Sequence, residues 1–106
     1  MANRVFQGVI FQMKEAVGRT LGVVDETGTV IACTELNCIG EVREGFAADR
    51  LVAGDSFVRD GYTYRQFSTT KHNDYAAFVE GTDEEAGQFA GMLAVSLQSI
   101  KQYHDE

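Results

Sequence analysis

The chain has 106 residues, a net charge of −7, 44% hydrophobic residues and 24% charged residues. This length and balance predict one globular domain spanning residues 1–106, and they exclude a disordered chain or two full-sized domains. The nine basic residues never cluster and stand against sixteen acidic ones, which excludes direct nucleic-acid binding, since phosphates are recognised by grouped Lys and Arg.

The first predicted element is an amphipathic helix over residues 3–17. Its apolar residues recur at three- and four-residue steps, which is the period of a helix with one buried face. Asn3 is the predicted N-cap and Gly18 the predicted C-terminal stop. Phe11 falls off the apolar stripe, so a second, narrower face of this helix is also expected to be covered.

Two strands are predicted next, over residues 20–25 and 29–34. The Asp-Glu-Thr-Gly sequence that joins them has the chemistry of a tight turn. Both strands are nearly continuous apolar runs, which are typical of strands covered on both faces. We therefore expect this pair to be central in the sheet.

Residues 41–53 predict a short middle helix. Apolar residues recur in it at helical spacing. The side chains expected to point inward are Val42, Phe46, Ala47 and Leu51.

Two further strands, over residues 56–59 and 62–68, flank the dipeptide Asp60-Gly61. Asp-Gly favours a type I′ turn, whose twist matches that of a hairpin. With this turn, four side chains share one face of the hairpin. The predicted cross-strand pairs are Phe57 with Tyr64 and Arg59 with Tyr62.

A last strand over residues 75–80 leads to a helix that ends near residue 103, with Thr82 or Asp83 as its N-cap. Apolar and small residues cover well over half of the circumference of this helix. A helix with so wide an apolar surface is expected to pack on its own sheet and also on a second surface outside that sheet.

The predicted order is helix, two strands, helix, three strands, helix. It indicates an α+β sandwich of the profilin-like or PAS-like kind. In this plan a five-stranded antiparallel sheet carries the N- and C-terminal helices on one face and the middle helix on the other. PAS, GAF, roadblock and longin domains share it, so the fold alone does not fix a function.

The sequence predicts no enzyme and no cofactor. Nucleophilic catalysis needs a nucleophile beside an oriented base, and His72 lies in a polar loop that is read as an exposed turn. Cys33 and Cys38 lack the second ligand pair of a zinc site. Without a signal peptide, a disulfide is disfavoured and a cytoplasmic location is expected, with no membrane partner. Cys33 is read as a core residue, while a redox switch at Cys38 is kept as a minor alternative.

A pocket between the sheet and the middle helix is the predicted ligand site. Arginine and hydroxyl groups there suit a small anionic or polyhydroxy metabolite. The alternative is that the tyrosines are cross-strand packing and the arginines are ordinary surface charges. The predicted ligand-binding residues are Thr34, Asn37, Arg43, Phe57, Arg59, Tyr62 and Tyr64.

The terminal helices are predicted to form a homodimer interface. They carry more apolar area than one sheet face absorbs, and the last helix has a seam of small residues. The alternative is that all of this area belongs to the core of one chain. The predicted interface residues are Val5, Val9, Phe11, Phe89, Gly91, Met92, Val95 and Ser99.

Residues 21–45 read LGVVDETGTVIACTELNCIGEVREG, and residues 78–85 read FVEGTDEE. These stretches resemble the N-terminal sensory region of bacterial sugar-diacid regulators and of related purine-catabolism regulators. The resemblance implies a ligand-sensing and dimerisation domain, whose last helix passes the signal to a DNA-binding part beyond Glu106. Diacid specificity is not carried over, because Cys33 and Thr34 stand where those regulators have Ser.

The rival interpretation is a roadblock-like or longin-like dimerisation scaffold without a small-molecule ligand. A PAS-like sensor is expected to hold an internal polar pocket. A roadblock-like scaffold is expected to have a solid core instead.

Overall fold

Five antiparallel strands form a single sheet in the computed structural model, in the order β2-β1-β5-β4-β3. The structure describes residues 2–46, 56–68 and 74–104. The predicted α+β class and five-stranded sheet are confirmed. The elements are α1 (Ala2–Val17), β1 (Leu21–Asp25), β2 (Val30–Cys33), a short 3-10 helix (Leu36–Cys38), β3 (Ser56–Arg59), β4 (Tyr62–Ser68), β5 (Asp74–Glu80) and α2 (Glu84–His104).

Both long helices cover the same face of the sheet, as predicted. Full burial of each large apolar side chain there contributes about 1.5–3 kcal/mol. We call this side of the molecule the terminal-helix core. Its buried members are Phe6, Ile10, Leu21, Val23, Ala32, Phe67, Ala77, Val79, Ala86, Ala90, Leu93, Ala94 and Leu97.

A second core lies on the opposite face of the sheet, where the middle helix was predicted. Phe46 is buried there, as predicted, and is 1% exposed. The positions predicted for that helix at 47–53, which include Ala47 and Leu51, lie outside the described residues. The other buried members of this second core are Val24, Val30, Cys33, Tyr64, Ala76 and Phe78.

The predicted helix is wrong for residues 41–45, which run alongside β2 instead. Val42 forms a bridge with Thr29, and the Val30 amide donates to the Glu41 carbonyl at 2.8 Å. Val42 was expected to point inward, but its side chain is 58% exposed. β2 is an outer strand of the sheet, so its buried backbone groups on the open side need hydrogen-bond partners. Residues 40 and 41 supply these partners for Val30.

The prediction that β1 and β2 are both central is wrong for β2. β1 lies between β2 and β5, while β2 is at the end of the strand order. β2 is apolar because α1 covers one face and Phe46 lies in the core on the other. A continuous apolar run therefore reports burial of both faces, not a central place in the sheet.

The ends of the two helices follow simple capping chemistry, with one exception. Gly18 has a φ of +72° and its amide donates to the Lys14 carbonyl at 2.9 Å, which ends α1 as predicted. Asp83 accepts the Ala86 amide at 3.3 Å and is the N-cap of α2. The predicted N-cap Asn3 is wrong, because α1 already includes Ala2.

Candidate functional site

The β3–β4 hairpin positions one face of the candidate site. Its turn residues Asp60 and Gly61 have φ values of 53° and 83°, and positive φ at both positions is the signature of a type I′ turn. The predicted pairing is confirmed in full. Phe57 lies opposite Tyr64, and Arg59 lies opposite Tyr62.

Aromatic rings pack densely on this side of the sheet. Phe57 and Tyr64 stack with their centroids 5.1 Å apart, and Phe46 lies 5.3 Å from Tyr64. Tyr62 meets Phe78 edge to face at 5.5 Å. We call these five residues the aromatic face. Such pairs add about 0.5–1.5 kcal/mol beyond the area that they bury, so packing between rings occupies this face.

Arg43 packs its charged side chain against the aromatic face. Its guanidinium carbon lies 4.6 Å from the centroid of Tyr62 and 4.8 Å from that of Phe78. The side chain is 13% exposed, and its Nε lies 3.3 Å from Glu41 Oε1. That Nε is buried, and the described residues offer it no hydrogen bond of good geometry. Among the described residues, Arg43 is thus a largely buried cation that stacks on two rings and whose Nε makes a long ion pair with Glu41.

Neighbouring groups keep Arg43 charged. Burial acts most strongly and would lower the pKa of Arg43, but Tyr64, Tyr62 and Glu41 together raise it above its ordinary value. Burial also raises the pKa of Tyr64, and the nearby Arg43 cation opposes that shift. At neutral pH Arg43 is therefore a cation beside the neutral phenol of Tyr64.

Arg59, one of the predicted ligand-binding residues, contacts the turn that follows Arg43. Its Nε donates to the Glu44 carbonyl at 3.0 Å, and it pairs with Asp60 at 3.6 Å. The guanidinium also lies against Gly45, where an added Cβ would collide with it. Arg59 therefore fastens the turn at residues 44–45 onto β3.

The structure does not bring Thr34 and Asn37 to the aromatic face. Cys33 lies in the second core, so the next residue, Thr34, points to the other side of the strand. The Thr34 hydroxyl accepts the Leu21 amide at 3.3 Å. Asn37 is exposed in the 3-10 helix. Of the seven predicted ligand-binding residues, Arg43, Phe57, Arg59, Tyr62 and Tyr64 are brought together.

Thr34 instead lines a cleft of about 260 Å³ beside the end of α1. Arg19, at the mouth of that cleft, is engaged by Asp83 at 2.7 Å and by Glu85 at 3.1 Å. The remaining lining residues are Lys14, Gly18, Thr20, Glu35 and Glu80. Arg19 is already held by two carboxylates, so it is less available to an anion than Arg43, whose Nε has one long contact among the described residues.

The predicted dimer-interface residues divide into two groups. Val9 and Phe89 are half-buried and pack against the terminal-helix core. Phe11, Met92 and Val95 are 43%, 56% and 63% exposed. Ser99 is exposed too, while the side chain of Val5 lies outside what the structure describes.

A groove of about 780 Å³ runs between α2 and β4, and it holds three of the predicted interface residues. Those three are Gly91, Met92 and Val95. Sequence reasoning missed the polar members of the groove. Strand alternation around Tyr64 would have placed Arg65 on this face, and helical spacing from Met92 would have placed Gln88 and Ser96 there. The groove is completed by Arg65, Gly87, Gln88 and Ser96.

No family model, curated protein or solved structure matches this chain at a significant level. Within residues 2–46, 56–68 and 74–104, no group of three or more His, Cys, Asp or Glu side chains is arranged to hold a metal ion. Neither of the described helices is long and apolar enough to cross a membrane. His72 lies outside the described residues.

Proposed function

We propose that this chain is the ligand-sensing and dimerisation domain of a bacterial transcriptional regulator, with no catalytic activity. A small anionic metabolite binds at Arg43 on the aromatic face in the cytoplasm. The C-terminal helix α2 carries the response to a DNA-binding region of the regulator. Dimerisation through α2 brings two such regions together.

The observation that carries this proposal is the Arg43 guanidinium itself. A buried cation is costly unless it is paired and hydrogen-bonded. Here the ion-pair partner Glu41 is 54% exposed and makes one contact at 3.3 Å. A carboxylate placed on the guanidinium would give the buried Nε the charge-assisted hydrogen bond of good geometry that Glu41 does not provide. Tyr62, at the rim of the same face, is half-buried.

A shared strand supports the link from Arg43 to α2. β4 points Tyr62 and Tyr64 toward the aromatic face. At alternating positions it points Phe67 into the terminal-helix core and Arg65 into the groove beside α2. A displacement of β4 by a ligand at Arg43 would therefore act directly on the surface of α2. A strand that both sites contact is the kind of element through which coupling travels.

A second function, a dimerisation scaffold of the roadblock or longin kind, is supported by the tight ring packing. Tyr64 and Phe46 are each 1% exposed. A solid aromatic core is what a scaffold needs and what a pocket-bearing sensor avoids. The two proposals agree on the dimer and differ only on the ligand.

A thermal-shift screen against dicarboxylates, sugar acids and purines tests the sensor proposal. A ligand at 100 times its Kd adds about 2.7 kcal/mol to the unfolding free energy, which moves the Tm of a domain this size by several degrees. We expect one anionic class to raise the Tm of the wild-type chain and not that of Arg43→Gln. Arg65→Gln is the matched control, because Arg65 is exposed on the other side of the same strand.

If no class of compound raises the Tm of the wild-type chain and the chain is nevertheless a dimer, the scaffold proposal is favoured. An equal shift in Arg43→Gln would show that the ligand binds elsewhere.

A further inference from the structure

The two cysteines of the chain are free thiols that lie in one core. Cys33, at the end of β2, is buried, and Cys38, at the end of the 3-10 helix, is half-buried. Cys38 packs against the second core, of which Cys33 is a member. The proposed function uses neither thiol, so their juxtaposition needs its own explanation.

Two hydrogen bonds, both donated by backbone amides, fold the intervening residues into a tight turn. The Glu35 amide donates to Cys33 Sγ at 3.4 Å, and the Cys38 amide donates back to the Glu35 carbonyl at 3.0 Å. The chain therefore reverses within one turn and returns Cys38 to the end of β2. A disulfide requires this kind of close approach between the two backbones.

The turn is held against β2. The Gly40 amide donates to the Val30 carbonyl at 2.8 Å, while Leu36 and Ile39 are 62% and 42% exposed. Cys38 is therefore kept beside the end of β2 by a turn whose own apolar side chains lie largely in solvent.

We propose that Cys33 and Cys38 form a reversible intramolecular disulfide when the domain meets a hydroperoxide. Cys38 is the thiol that is oxidised first, since it has access to solvent. Cys33 is the resolving thiol, held in place inside the core. This modification requires no ligand at Arg43.

The steps balance with the peroxide as the oxidant. With hydrogen peroxide, the Cys38 thiolate attacks one peroxide oxygen and the O–O bond breaks. The hydroxide that leaves takes up the proton that the Cys38 thiol had released, so a sulfenic acid and one water are formed. Cys33 then attacks the sulfenyl sulfur, the S–S bond forms, and the departing hydroxyl leaves as a second water with the Cys33 proton. Both electrons lost by the thiols reside in the two waters.

The surroundings of the thiols agree with this division of roles. Burial raises the pKa of Cys33, and the adjacent Cys38 raises it further. A thiol with a raised pKa stays protonated and reacts slowly with peroxide. Cys33 is therefore poorly suited to react with peroxide itself, and its attack on a sulfenic acid at Cys38 relies on the two residues being held together.

Intact mass spectrometry of the full chain tests the proposal. Treatment with a small molar excess of hydrogen peroxide is expected to remove two hydrogens per chain, and dithiothreitol is expected to restore them. Cleavage after Glu35, which lies between the two cysteines, is expected to leave the fragments joined until reduction. Conversion should be complete in wild-type protein and absent in Cys38→Ser.

Cys33→Ala provides the second variant, in which Cys38 is expected to stop at the sulfenic acid and to be trapped by dimedone. If this variant fails to fold, Cys38→Ser and the wild-type cleavage pattern still decide. Oxygen addition at Cys38 in wild-type protein without loss of hydrogens would overturn the proposal, and so would a disulfide that joins two chains. A failed ligand screen leaves these readouts unaffected, so the two proposals fail separately.

Discussion

The side-chain amide of Gln7 pairs with the backbone of Cys33 as a strand would. Gln7 Nε2 donates to the Cys33 carbonyl at 2.8 Å, and the Cys33 amide donates to Gln7 Oε1 at 3.0 Å. Cys33 lies at the end of the edge strand β2. One helical side chain thus satisfies a donor and an acceptor that the sheet leaves unpaired.

We expect Gln7→Ala to lower the unfolding free energy by about 1–3 kcal/mol, because a buried amide and carbonyl lose their partners. Gln7→Glu should also destabilise, since a carboxylate accepts from the amide but donates nothing to the carbonyl. Urea denaturation followed by circular dichroism measures both effects. Gln98→Ala, at an exposed position of α2, is the matched control and should change stability little.

The second prediction concerns the pH dependence of stability. The hydrogen bond from Arg19 lowers the pKa of Asp83 from 3.8 to about 2. A carboxyl whose pKa is lower in the folded state stabilises the fold above its unfolded pKa, and this contribution is lost as the pH falls. The unfolding free energy should therefore decline between about pH 4 and pH 2 on account of Asp83.

Asp83→Asn isolates that contribution, because asparagine still caps a helix but does not titrate. Denaturant titrations at several pH values should give a flatter profile for Asp83→Asn than for the wild-type chain across this window. Arg19→Gln should flatten the profile in the same way. Identical slopes in wild-type and variant chains would mean that the Arg19–Asp83 pair does not persist in solution.

Local chemistry predicted the β3–β4 hairpin to the residue, since Asp60-Gly61 sets the turn and the turn sets the register. The same kind of reasoning failed at residues 41–45. Nothing near Val42 in sequence reveals that the amide of Val30 needs a partner at an outer edge. That demand comes from the assembled sheet, so only the three-dimensional arrangement discloses it.

In the candidate site, too, some features follow from local sequence and others depend on the assembled sheet. Strand pairing alone predicted that Phe57, Arg59 and the two tyrosines share a face. Side-chain alternation along β2 could also have shown that Thr34 does not lie on the same face as Cys33. Successive side chains of a strand point to opposite faces of the sheet, so the neighbours Cys33 and Thr34 lie on different faces. The stacking of Arg43 on Tyr62 was not predictable in detail, because it depends on the path of the segment beside β2.

The third prediction contrasts two glycines. A Cβ at Gly22 in β1 would collide with the Phe78 ring and lie 2.6 Å from the Ala32 carbonyl oxygen. Gly22→Ala should therefore destabilise the chain by about 1–3 kcal/mol through overpacking. At Gly8 in α1 a Cβ meets nothing within 4 Å, so Gly8→Ala should stabilise by about 0.5–1 kcal/mol. Thermal unfolding of the two variants should shift the Tm in opposite directions.

The last prediction concerns the groove between α2 and β4. Met92 and Val95 expose apolar side chains on a helix whose other face is buried in the terminal-helix core. In the proposed homodimer these residues meet their copies across a two-fold axis, so one substitution acts twice. Val95→Glu should place two carboxylates in an apolar contact and weaken dimerisation at least about tenfold. Sedimentation equilibrium across micromolar concentrations measures the change.

Gln98→Glu is the matched control for that experiment, because it adds the same charge to an exposed position of α2 that does not line the groove. It should leave the dissociation constant almost unchanged. Phe11→Ser then tests which helix forms the interface, because Phe11 is 43% exposed on α1. A loss of dimer in Phe11→Ser but not in Val95→Glu would move the interface from α2 to α1. A wild-type chain that stays monomeric throughout would remove the dimer from the proposed function.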